Sequence, residues 1–100
     1  MNSKDAILGK VKLRNIIENI PKGGLTVSRH RVELAEKEKP NLGWIAELTV
    51  LGHLPWHEGE ERNVEIRIMS QEFRKYVATK QPSLLIRRGS EILGDFEPAT

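Results

Sequence analysis

Two histidines, a tryptophan and three glutamates fall within one short stretch, Gly52-His53-Leu54-Pro55-Trp56-His57-Glu58-Gly59-Glu60-Glu61-Arg62. Nowhere else does the chain gather as many groups able to do chemistry. His53 and His57 are four residues apart, the step that puts two imidazoles on one face of a helix in metal sites. Pro55 between them opposes a regular helix, so a loop would have to bring them together. Glu58 or Glu60 could then be a third ligand and His30 a fourth. The plainer expectation is a solvated interstrand loop whose Trp56 tucks onto the core, because working metal sites also need fixed partners behind the ligands.

Other reactive constellations are missing from the sequence. It has no cysteine, and Ser28, Ser70, Ser83 and Ser90 lie in no Gly-x-Ser-x-Gly setting. Pro21-Lys22-Gly23-Gly24-Leu25 reads as a passage from helix to strand, which offers carbonyl groups to a ligand rather than the amides a phosphate loop needs. No catalytic residue or cofactor is expected, and binding is favoured over enzymatic activity. For nucleic acid the candidates are Arg29, His30 and Arg31 on one strand, Lys10, Lys12 and Arg14 on the expected first helix, and Arg87 with Arg88 at a hairpin. Such a set contacts phosphates without reading bases, since Trp44, Phe73 and Phe96 read as core and leave few platforms for stacking. The competing expectation pairs these charges with Glu33, Glu47, Glu65 and Glu91 across the outer faces of strands.

Composition bounds the class of molecule. One hundred residues, 38% hydrophobic and 30% charged, describe one globular domain with a single core. Neither a secretory leader nor an apolar run near the roughly 20 residues of a spanning helix stands in the sequence, so no membrane association is expected. Zero cysteines fit a reducing cytoplasm. The net charge of +2 is divided, with +3 in residues 1–50 and −1 in residues 51–100, too mild an asymmetry to argue for a partner.

The periodicity assigns elements. Ser3, Asp5, Ile7, Val11, Ile16, Ile17 and Ile20 predict a helix over 3–20, stopped by Pro21 and Gly23-Gly24, although Val11-Lys12-Leu13-Arg14 alternates like a strand. Leu25 and Val27, then Val32 and Leu34, lie on opposite phases and ask for a bulge near Arg29 to Arg31. Trp44, Ala46, Leu48 and Val50 form a strand face, and Val64, Ile66 and Ile68 form a second. Ser70 and Glu72 open a short helix that buries Phe73, Tyr76 and Val77. Leu84 to Arg87 is a strand, and Gly89-Ser90 turns it into another over 91–96.

The last third resembles the C-terminal β-barrel of translation elongation factor Tu and the small stand-alone proteins built like it. The matching residues are Val64-Glu65-Ile66-Arg67-Ile68, Leu84-Leu85-Ile86-Arg87-Arg88-Gly89-Ser90 and Ile92-Leu93-Gly94, with Ala46-Glu47-Leu48-Thr49-Val50-Leu51 as an opening strand. The resemblance covers about half the chain. It implies a barrel used for docking macromolecules, with no catalytic residues to carry over.

The expected fold is therefore α+β: an N-terminal helix within residues 1–22 on a small, mostly antiparallel, barrel-like sheet over 25–97, with one short helix inserted, all in one domain of residues 1–100. The expected core is Ile16, Ile17, Val27, Trp44, Ala46, Leu48, Val50, Val64, Ile66, Ile68, Phe73, Leu84, Ile86 and Ile92. The expected function is a non-enzymatic, cytoplasmic protein-interaction module. Trp56 would be its exposed anchor, flanked by His53, His57 and Glu58, and the partner another protein or a second copy of the chain. Nucleic-acid binding through Arg29, Arg31, Lys12, Arg87 and Arg88 is one alternative. A metal site at His53, His57 and Glu58 is the other.

Overall fold

The computed structural model describes residues 6–14, 24–89 and 91–99. Six strands and one helix follow in the order β1 (Ala6–Leu13), β2 (Arg29–Glu36), β3 (Gly43–Val50), β4 (Glu61–Ile68), α1 (Gln71–Lys80), β5 (Leu84–Arg88) and β6 (Glu91–Pro98). They close into an antiparallel barrel with neighbours β1-β4-β3-β2-β5-β6 and back to β1. Consecutive hairpins join β2, β3 and β4, while β1 lies against β4 in Greek-key fashion.

Period-two patterning dictates this arrangement. Val64, Ile66 and Ile68 face inward with Ala46, Leu48 and Val50 beside them, all buried, while Glu65, Arg67 and Glu47 face outward. Each strand has a partner on both sides, so the barrel has no free edge. Self-association by edge pairing, one route to the expected homodimer, is closed to the described strands.

The barrel-like sheet and the inserted helix agree with expectation, and the N-terminal helix does not. Over Ala6–Leu13 the chain is a strand, hydrogen-bonded to both β4 and β6. Ile7 and Val11 suit helical spacing, but Val11 and Leu13 are buried by alternation, at 1% exposure each. Gly9 and Gly94 let β1 and β6 approach closely: a Cβ on Gly94 would fall on the backbone carbonyl oxygen of Lys12, and one on Gly9 on the Phe96 ring and the Glu97 carbonyl. The remainder of the expected helix, with Ile16 and Ile17, lies outside the described residues. Gly94→Ala is expected to lower stability by about 1–3 kcal/mol, because backbone cannot move aside as a side chain can. An unchanged urea midpoint in that variant would contradict the β1–β6 register.

Further expectations need correction. No bulge interrupts β2 against β3; Leu25 pairs only in an isolated bridge to Trp56, so the phase change falls in the irregular segment before β2. The register shift lies instead between Ile86 and Arg87 of the β5–β6 ladder. Val27 is 58% exposed, and Trp44 and Ile92 are only half-buried. Their places in the core are taken by Val11, Leu13, Val32, Leu34, Trp56, Leu93 and Phe96.

Helix α1 has the expected start. The Ser70 hydroxyl accepts from the Phe73 amide at 3.2 Å, and Glu72 lies in the positive first turn. Gln81 ends it in the left-handed region, its N–H donating to the Val77 carbonyl. Phe73 and Val77 are buried, and Phe73 stacks on Trp44 with centroids 4.8 Å apart, which seats the helix by the start of β3. Tyr76, expected to be buried, is 38% exposed because its hydroxyl donates to Glu36 at 3.0 Å. No described helix is long and apolar enough to cross a membrane.

Candidate functional site

The loop between β3 and β4 closes the opposite end of the barrel, and Trp56 is what closes it. Its amide and carbonyl both bond Leu25, at 2.9 Å each, and its indole N–H donates to the Glu60 carbonyl at 2.8 Å. The Gly59 amide then donates to the Leu13 carbonyl, and the Leu13 amide to the Glu60 carbonyl, so the loop is stitched to the end of β1. At 2% exposure Trp56 is core, not an exposed anchor. Its N–H is satisfied inside the loop, which removes the usual obstacle to burying an indole.

His53, His57 and Glu58 stay exposed around this buried ring. The Glu60 carboxylate accepts from the His57 amide at 2.9 Å and from Arg62 at 3.0 Å, and His57 Nδ1 lies 3.3 Å away. Those contacts, the His57 amide first, hold Glu60 below the usual carboxylate range. The His53 carbonyl accepts from Arg62, while Glu58 lines a separate groove with Lys12, Arg14 and Asp95. Among the described residues no three His, Asp or Glu side chains are placed to hold a metal ion. His30, the expected fourth ligand, stands on β2 among arginines.

The basic candidates divide in the same way. Lys12 shares its groove with Glu58 and with Asp95, which takes Arg14 in a two-pronged pair at 2.9 and 2.7 Å. Arg87 is held by Glu33 at 3.3 Å and by the carbonyls of Pro40 and Gly89. Of the expected cross-strand pairs with Glu33, Glu47, Glu65 and Glu91, only this one forms as an ion pair among the described residues.

Arg29, Arg31 and Arg88 come together. With Gly24, Leu25, Thr26, Val27 and His30 they line an open cleft of about 480 Å³ at the start of β2, and no carboxylate is among the described residues of its walls. Arg29 and Arg31 project from one face of β2, are exposed, and make no ion pair among the described residues. Arg88 reaches the cleft from β5, where its guanidinium donates to His30 Nδ1 at 3.0 Å. His30 Nε2 lies 2.6 Å from the Val27 carbonyl, which can only accept, so that nitrogen carries the hydrogen.

The chain matches no protein-family model, no curated protein and no solved structure.

Three permanently charged guanidiniums around one opening repel each other, and an anion entering it relieves that repulsion. His30 adds a titratable group. Burial holds its pKa below the ordinary 6.5, with Arg88 adding to the effect and the Val27 bond opposing it. As pH falls through 6.5 the unfolded chain takes up this proton before the folded one does, so His30 makes the fold less stable in acid. His30→Gln is expected to flatten that acid-side decline, as measured by urea midpoints across pH; an identical decline in wild type and variant would contradict it.

Proposed function

We propose that this domain is a non-enzymatic binding module whose cleft at the start of β2 takes the phosphate backbone of nucleic acid. The observation that supports it is that Arg29, Arg31 and Arg88 line one opening with no carboxylate among its described lining residues. Arg14, Arg62 and Arg87 are committed to Asp95, Glu60 and Glu33, and exposed Arg67 on β4, which makes no ion pair among the described residues, stands without a second arginine beside it on its strand. Arg29 and Arg31 are two residues apart on a strand, which separates their stems by about 6.5 Å, of the order of the distance between neighbouring phosphates. An acidic protein would offer scattered carboxylates, whereas a nucleic-acid strand repeats its charge at a fixed interval, and that regularity favours it as the partner.

Sequence-independent contact is the mode the side chains suit. Among the described residues no Phe, Tyr or Trp lines the cleft, and the imidazole of His30 is engaged by Val27 and Arg88. Stacked bases therefore have little platform, and the exposed Val27 offers only an apolar contact beside the arginines. A docking barrel is also what kinship with the C-terminal barrel of elongation factor Tu would imply. That kinship remains part of the proposal, supported by the closed barrel and by the β5–β6 hairpin carrying Arg87-Arg88-Gly89.

The test is fluorescence anisotropy of a labelled single-stranded RNA, with polyglutamate as an anionic polypeptide control, over salt from about 50 to 200 mM. The expected dissociation constant is about 10⁻⁴ to 10⁻⁶ M, weakening with a log–log slope near −2 for three contacts of about 0.7 each. Binding of polyglutamate as tight as that of RNA would point to an acidic protein partner instead. No binding to RNA at the lowest salt would sink the proposal.

A further inference from the structure

The cleft contains one group whose charge can change near neutral pH, and its two hydrogen bonds fix which form it takes. Because the Val27 carbonyl claims the Nε2 hydrogen, the Nδ1 lone pair is left to accept from Arg88, and this contact requires a neutral imidazole. Protonation would put a second N–H opposite the guanidinium donors, so that two cations face each other with no acceptor between them. The groups around His30 offer no relief. From β5 it meets Arg88, while its sequence neighbours Arg29 and Arg31 alternate to the other face of β2, where Glu47 of β3 stands opposite Arg31. On β3 its ladder partner is Leu48, and behind it lies a small apolar hollow lined by Leu25, Val32, Trp56, Ile86 and Leu93. Glu91 stands opposite Arg88 in the β5–β6 ladder, with no ion pair between them among the described residues.

Resting on the nucleic-acid reading of the cleft, we infer that phosphate binds there together with a proton on His30. A phosphate oxygen is an acceptor for both parties. It takes the Arg88 hydrogen bond that neutral His30 had received and accepts the new Nδ1–H, while Nε2–H stays on Val27. The proton comes from solvent, and the added positive charge is neutralised by the ligand. Free protein disfavours the imidazolium, because burial and the facing Arg88 outweigh the Val27 hydrogen bond. Bound protein favours it, so affinity rises as pH falls, by up to about tenfold per pH unit for one linked proton. Arg88 is thereby held in place by His30 at higher pH and released to the ligand in acid.

Two measurements on the full chain test this. The first follows the His30 Cε1 proton by NMR across pH, with and without a saturating single-stranded RNA oligonucleotide. The expected result is a pKa that rises on binding; an unchanged or lowered value overturns the inference even if every variant misfolds. The second compares the pH dependence of oligonucleotide affinity between about pH 8 and pH 6 in wild type, His30→Gln and the double variant His53→Gln/His57→Gln. Wild type and the loop double variant are expected to gain affinity in acid alike, and His30→Gln to gain several-fold less. An equal gain in His30→Gln overturns the proton coupling while leaving the cleft as the binding site. Failure of wild type to bind RNA at either pH overturns both.

Discussion

Replacing Trp56 with alanine is expected to cost about 3–5 kcal/mol of folding stability, within the range for removing a large aromatic side chain from a core. The ring is 2% exposed and belongs to the core cluster that fills the barrel. Leu13, Leu25, Leu48 and Leu93 line the hollow that it helps to close. Alanine would leave a void there and remove the indole bond to the Glu60 carbonyl, on which the loop closing this end depends. A domain of this size has only about 5–15 kcal/mol in total, so the variant should be partly unfolded under mild conditions. Trp56→Phe separates the two contributions, keeping most of the packing and losing the hydrogen bond, for a smaller cost of about 1–2 kcal/mol. Urea unfolding followed by circular dichroism is the measurement. A wild-type midpoint for Trp56→Ala would mean that the ring is a surface feature after all, and would return it to the role of interface anchor.

The second large effect belongs to binding. Changing Arg29 and Arg31 together to alanine should leave folding nearly untouched, within about 0.5 kcal/mol, because both side chains are exposed and make no ion pair among the described residues. Affinity for single-stranded RNA should nevertheless drop by an order of magnitude or more at low salt. The salt slope should shrink by about 0.7 per arginine removed, since each lost phosphate contact is one fewer set of counterions released. Arg14→Ala is the matched control: it also removes an exposed guanidinium, but one already neutralised by Asp95. Equal losses in the two variants would mean that net charge, not the cleft, governs binding.

How much of this was legible in the sequence depended on the distance over which it is decided. Alternation in Val64-Glu65-Ile66-Arg67-Ile68 needs no partner to be read, and the capping residues of α1 lie within one turn of it. The barrel strands from 43 onward, the inserted helix and the pairing of β5 with β6 were therefore within reach. The first strand was not, because Ile7 and Val11 satisfy both periods, and the choice is made by pairing with β4 and β6 far along the chain. The strand keeps Lys10, Lys12 and Arg14 on one phase of the alternation, but the groove that Lys12 and Arg14 line also holds Glu58 and Asp95, which no local pattern announces.

The site divides by the same rule. Arg29 and Arg31 share a strand face by simple alternation, so their partnership is visible in three consecutive residues. Arg88 joins them from 58 positions beyond His30, across the contact between β2 and β5, and nothing local signals it. Trp56 supported two expectations, a ring tucked onto the core and an exposed anchor, and the structure bears out the first; its polar, flexible neighbours left the second open. Its burial is set by the bridge to Leu25, a residue that local pattern assigned only to an ambiguous strand.

The most direct test of the cleft is a chemical-shift map: amide spectra of the isotopically labelled protein, recorded at low salt as a single-stranded RNA oligonucleotide is added. Shifts are expected to concentrate on residues 24–31 and on Arg88, fading as salt is raised. Shifts centred on the 52–62 loop, or on the apolar groove lined by Leu8, Leu51 and Pro98, with residues 24–31 silent, would contradict the cleft as the working surface.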